Sequence, residues 1–335
     1  MIPFETVSHS KEVLLLLGRR IAEIMEEKGK LYTQEFVANG IGISRDTFRA
    51  VLKGSRPIYG TEMRRLSNVL KLPVERIRMT DTLKEAEELL YLLDNVKNKN
   101  RALTIAKYLS SVAIGDTEKS ETLNNLGRFY FISEQFEEAH STWLEAYALA
   151  KQVFEKYNET GCLFHVITNL SISFSQRKEY SLSAKYLAEV ERVFVSSPKH
   201  AGAICYSKAM IAEHLGDLEG TKQNLYQSLT FSEMTQEPIR VGRAELNIAH
   251  FEYKNKNYET AKDYIEKAIT HLNSDPEIKR IAFKVYAKLL LKMGERERAL
   301  EIIKTALKEF SGTGIPTLKA KFYILYSIAT RDVQY

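Results

Sequence analysis

At 335 residues, 44% of them apolar, the chain is long enough for two domains with buried cores. Its two cysteines, Cys162 and Cys205, lack a CxxC or a histidine partner, which argues against a disulfide framework or a zinc site. The longest N-terminal apolar run, Val13–Leu17, is too short for a signal-peptide core or a membrane span, so the sequence predicts a cytoplasmic protein without membrane contact.

The formal charge of +5 is unevenly placed. Residues 1–80 carry 14 Lys or Arg against 9 Asp or Glu, and the rest of the chain carries 34 of each. All the excess positive charge falls in the first quarter, as expected if that segment meets phosphate.

Leu14, Leu17, Ile21 and Ile24 form one stripe of an amphipathic helix that Gly29 ends. Thr33 then caps a short helix with Phe36 and Val37 inward and Ala38 at a close crossing. Gly40 and Gly42 permit a tight reversal, and Ser44 caps the next helix, Ser44–Leu52, which buries Phe48, Val51 and Leu52. Lys53-Gly54 ends it and Pro57 cannot continue it. A fourth helix is predicted over Thr61–Leu70, and Pro73 opens a short turn with Val74 and Ile77.

Thr33-Gln34-Glu35, Ala38, Ile41-Gly42-Ile43-Ser44, Thr47-Phe48, Val51, Gly54, Leu66, Leu70 and Leu72-Pro73-Val74 together resemble the Cro/repressor-type (XRE) helix-turn-helix family over roughly residues 10–80. The resemblance implies that the second helix of the motif enters the major groove. Its exposed positions here are Arg45, Asp46, Arg49 and Ala50. An arginine fork matches guanine O6 and N7, and Asp46 can accept from cytosine N4. Gln34, Lys53, Ser55 and Arg56 stand where family members grip the DNA backbone.

From about residue 82 the chain reads as helical hairpins. Asn125-Leu126-Gly127-x2-Tyr130-x5-Phe136-x2-Ala139-x3-Trp143-x2-Ala146 recurs around Asn169, Ala209, Asn247 and Ala287. Equivalent turn positions fall at 134, 178, 216, 256 and 294, preceded by a degenerate repeat over Thr82–Ala113 and followed by an amphipathic capping helix, Thr317–Ala329. The pattern resembles the tetratricopeptide repeat (TPR), with helices or turns lengthened beyond the roughly 34-residue standard period. The expected fold class is all-α: a helix-turn-helix domain over 1–80 and a right-handed TPR-like superhelical solenoid over 81–335.

Such a solenoid presents the first helix of each repeat to a concave groove. Asn125, Asn169 and Asn247 occupy one equivalent position there, with Ser207 at the same place in the third repeat. A row of amides, each donor and acceptor, can clamp a peptide backbone. Arg128, Arg243, His250 and Tyr253 on the same wall can take a carboxylate or an aromatic side chain. Catalysis finds no support: the seven histidines are scattered, no HExxH occurs, and Gly312-Thr313-Gly314 reads as a turn rather than a phosphate loop. No cofactor or metal is expected.

The order of parts resembles the RRNPP family of peptide-pheromone receptors, which includes phage arbitrium receptors. The resemblance implies a homodimeric, non-enzymatic transcription regulator of the quorum-sensing kind, which binds double-stranded operator DNA and is switched by a short signalling peptide. The rival readings are a TPR scaffold for a partner protein, its N-terminal domain not reading DNA, and a phosphatase-like or sporulation-type regulator acting through its repeats on another protein.

Overall fold

A computed structural model describes residues 11–309 and 316–330. The expected turn at Gly312-Thr313-Gly314 lies outside the described residues. All regular structure among them is helical. No helix among them is long and apolar enough to cross a membrane. None of their His, Cys, Asp and Glu side chains gather in a group able to hold a metal ion. The chain divides into two compact units, residues 1–178 and 179–335.

The first unit begins with five helices around one core: α1 (Lys11–Lys28), α2 (Gln34–Ile41), α3 (Arg45–Leu52), α4 (Gly60–Leu70) and α5 (Val74–Ile77). Leu17, Ile21 and Ile24 of α1 meet Val37, Ala38, Ile41, Phe48, Val51, Leu66 and Leu70 there. The caps are those expected: Thr33 Oγ1 accepts from the Phe36 amide and Ser44 Oγ from the Thr47 amide, each at 3.1 Å. Gly42, at φ +79°, makes the reversal between α2 and α3 in the left-handed region. Phe36 corrects the expectation that it faces inward. It is 52% exposed and packs edge-on against Tyr32, because Val37 and Ala38 already fill the face of α2 that meets the core.

Helices α6 (Leu83–Asp94), α7 (Lys99–Val112), α8 (Asp116–Ile132), α9 (Phe136–Tyr157) and α10 (Gly161–Gln176) complete the first unit. In the α8/α9 hairpin a Cβ on Gly127 would run into the Trp143 indole, so only glycine lets these helices meet. The indole donates to the Asn124 carbonyl at 3.1 Å.

Packing continues across residue 80 through a buried ionic joint. Glu118, on the first turn of α8, is 3% exposed and pairs with Arg20 of α1 at 2.9 Å and with Arg76 of α5. It also accepts from the Ile114 amide at 2.8 Å, which caps its own helix. Arg20 donates to the Ile114 carbonyl, Thr117 to Glu23, and the Gly115 amide to Glu27 at 2.6 Å. Arg20, Glu23 and Glu27 share a face of α1 that flanks its apolar stripe, so one helix serves both a core and this joint.

The second unit contains α11 (Tyr180–Phe194), α12 (Pro198–His214), α13 (Leu218–Met234), α14 (Pro238–Lys254), α15 (Tyr258–His271), α16 (Pro276–Met293), α17 (Arg296–Glu309) and α18 (Pro316–Thr330). Small residues sit at its hairpin crossings, as Ala249 and Ala261 do between α14 and α15. Leu318, Phe322, Leu325 and Ala329 of α18 close the last core against Phe283, Ala287 and Ile303.

The five turn positions aligned by sequence share one conformation: Glu134, Lys178, Gly216, Lys256 and Gly294 all have positive φ, between 60° and 83°. Three are not glycine, and each still ends its helix in the left-handed region. The long period comes from the helices, which reach 22 residues in α9.

Candidate functional site

Helix α3 turns Phe48 and Val51 into the core, which leaves Arg45, Asp46 and Arg49 exposed on the opposite side. Arg49 is tied to Asp46 at 3.3 Å, whereas the Arg45 and Lys53 side chains make no hydrogen bond or ion pair with a described residue. Gln34 is half-buried at the start of α2, and Ala50 is half-buried on α3. Ser55 Oγ donates to the Ala50 carbonyl at 3.0 Å. Arg56 is held at 3.0 and 2.7 Å by both oxygens of Glu62 and lies over the Tyr59 ring. Of the eight DNA-facing candidates, Arg45 and Lys53 are therefore unoccupied, and Ser55 and Arg56 are spent on ending α3 and starting α4.

A cavity of about 400 Å³ opens between α6, α8 and α10. Each helix lines it at spacing i, i+3, i+4, i+7: Leu83 to Leu90, Glu121 to Arg128 and Cys162 to Asn169. Three candidates meet here: Asn125, Arg128 and Asn169. Asn169 Nδ2 donates to Asn124 Oδ1 at 2.8 Å and ties α10 to α8. Asn125, half-buried one position along, makes no side-chain hydrogen bond to a described residue. Arg128 is paired with Asp94 at 2.7 Å, so a ligand carboxylate there must compete with that acid. Glu121 and Asn124 were absent from the candidates read in sequence, although both lie on the Asn125 face of α8, four positions before it and one before it.

The second unit has its own cavity, about 440 Å³, lined by Tyr206, Arg240, Arg243 and Asn247. Arg243 is paired with Asp275 at 2.9 Å and Arg240 with Glu237 at 2.6 Å. A smaller neighbouring space of about 200 Å³ adds His250 beside Asn247. Burial holds the His250 imidazole below its usual pKa.

Two expected wall residues, Ser207 and Tyr253, line none of these three spaces. Ser207 donates to its own helix at the Ala203 carbonyl, 3.1 Å away, and Tyr206 takes the wall position. Tyr253 packs against Tyr258 with ring centroids 6.1 Å apart. In both cases one residue of misalignment rotates a side chain by about 100° around the helix.

Two stretches, residues 120–156 and 243–270, match family models described as tetratricopeptide repeat. No curated protein matches the sequence. Among solved structures, the Signal Transduction ATPase with Numerous Domains protein PH0952 from Pyrococcus horikoshii, with a tetratricopeptide repeat sensor, aligns over 97% of this chain and 50% of its own, at TM-score 0.59 and 15% identity. The apo form of RapI aligns over 95% of this chain and 82% of its own, at TM-score 0.56 and 12% identity. BtubC (BKLC) from P. vanneervenii aligns over 68% of this chain and 94% of its own, at TM-score 0.52 and 15% identity. These likenesses establish a TPR-like helical fold.

Proposed function

We propose that the chain is a peptide-responsive transcription regulator. In this reading α3 reads operator DNA and the repeats bind a short peptide. The observation that carries it is the dual role of α8. Glu118 on its first turn is buried against α1 and α5, and Glu121, Asn124, Asn125 and Arg128 on the next turns line a cavity. A ligand that shifts α8 acts directly on the helices that position α3, with no intervening linker. The concentration of positive charge in residues 1–80 and the unoccupied Arg45 and Lys53 support DNA as the partner of α3.

A homodimer suits this reading, since two half-sites need two heads. Helix α18 supplies a surface for it: Ile324 and Ile328 are 57% and 53% exposed on the side away from Phe322 and Leu325.

Titration of the full chain with random-sequence duplex DNA at several salt concentrations tests the proposal. Affinity should fall steeply with salt, as the release of several counterions requires. Absence of salt-dependent binding would remove DNA as partner and leave a TPR scaffold for another protein.

A further inference from the structure

Glu121, a half-buried acid, differs in its partners from the buried acids of the fold. Glu23 takes the Thr117 hydroxyl, Glu118 takes two arginines, Glu245 is paired with His271 at 2.7 Å, and Glu252 takes Asn257 Nδ2 at 2.6 Å. Glu121 lines the cavity of the first unit, and its contact among the described residues is the Cys162 thiol at 3.7 Å, a weak donor. The neighbouring cations are engaged elsewhere: Arg19 with Glu159 at 2.7 Å, Lys119 with Glu27 at 3.0 Å, Arg20 and Arg76 with Glu118. Burial pushes the Glu121 carboxyl above its usual range, against the opposing pull of the Cys162 thiol and Arg19.

The groups around it favour a cation. The Ser120 hydroxyl spends its proton on the Ala146 carbonyl, and the Thr168 hydroxyl spends its proton on the backbone of its own helix. Each oxygen keeps acceptor capacity only, and both residues line the cavity. Arg128 lies seven residues along α8, about 10.5 Å away, and is already neutralised by Asp94. About three extended peptide residues span that distance. We propose that Glu121 anchors a positively charged group of the bound peptide, an ammonium or guanidinium, at one end of this cavity. This rests on the reading of the repeats as peptide-binding.

The test uses full-length protein and synthetic random hexapeptide pools. One has free amino termini, one is N-acetylated, and each is made with and without Lys and Arg. Peptides retained after dialysis are sequenced by mass spectrometry, and representatives are titrated. Wild type should prefer pools that keep a cation at least tenfold, and Glu121→Gln should abolish the preference while still binding acetylated peptides without Lys or Arg. Preference for free termini identifies an ammonium, and preference for Lys or Arg identifies a side chain. Glu121→Asp, which keeps the charge, should retain part of the preference and guards against a folding artefact. Peptide binding by wild type without cation preference, or a preference that survives Glu121→Gln, overturns the anchor and leaves peptide binding standing. No retained peptide from any pool overturns both.

Discussion

Arg45 projects from α3 with no described partner, while Arg49 beside it is already bonded to Asp46. On the proposed DNA-reading role of α3, base contact falls first to Arg45, and Arg45→Ala should relax specificity at one base pair at a cost of about 1–3 kcal/mol. Lys53→Ala should weaken all sequences alike, and footprinting on randomised operators separates the two. The paired amides of the cavity divide in the same manner. Asn125 has its amide open, so Asn125→Ala should cost about 1–3 kcal/mol of peptide affinity with little change in Tm. Asn169 also bridges to Asn124, so Asn169→Ala should lower both affinity and Tm. Calorimetric titration beside a melting curve distinguishes these outcomes. Equal Tm losses would mean that Asn125 is structural as well.

Helix α8 is the element on which the two parts of the first unit meet. Its N-terminal turn is locked by Glu118 between Arg20 and Arg76, where all three side chains are almost fully removed from water. Removing one charge from a buried set strands the others, so Glu118→Gln should destabilise the protein by about 3–5 kcal/mol in urea unfolding. The exposed pair of Glu26 with Lys156 provides the control, and Glu26→Gln should change stability little. If the two variants behave alike, the joint is no tighter than a surface contact. The same locking bears on the boundary expected at residue 80. A chain begun at residue 81 keeps Glu118 but loses Arg20 and Arg76, so α8 would start without its partners.

Over the whole molecule the buried acids set a pH dependence. Burial raises Glu23, Glu121 and Glu245 above the usual carboxyl value of 4.5. The folded chain then holds protons that the unfolded chain has released, so their contribution falls as pH rises above 4.5 through the raised values. Glu62 is opposite: its fork with Arg56 lowers it, and that contribution is lost as pH drops below 4.5. Stability should therefore peak in mild acid, and Glu23→Gln should flatten the alkaline side. Melting curves from about pH 4 to about pH 8 at constant ionic strength check this. A profile still rising at neutral pH would contradict it.

Periodicity and turn chemistry are local, and they were legible in the sequence. The stripe on α1, the caps Thr33 and Ser44, and the five left-handed turns from Glu134 to Gly294 depend on residues within a few positions of one another. Repetition extended that reach, because each hairpin must bury the same small and large residues against its neighbour. Which side chains face a cavity depends on helix rotation, and a single residue of misalignment replaced Ser207 by Tyr206. The partners of Glu118 and Arg128 lie 34 or more residues away in sequence, and no local pattern marks them. Only the tertiary structure brings Arg20, Arg76 and Glu118 together and leaves Glu121 facing open space, because pairing across helices is decided by packing rather than by neighbours along the chain.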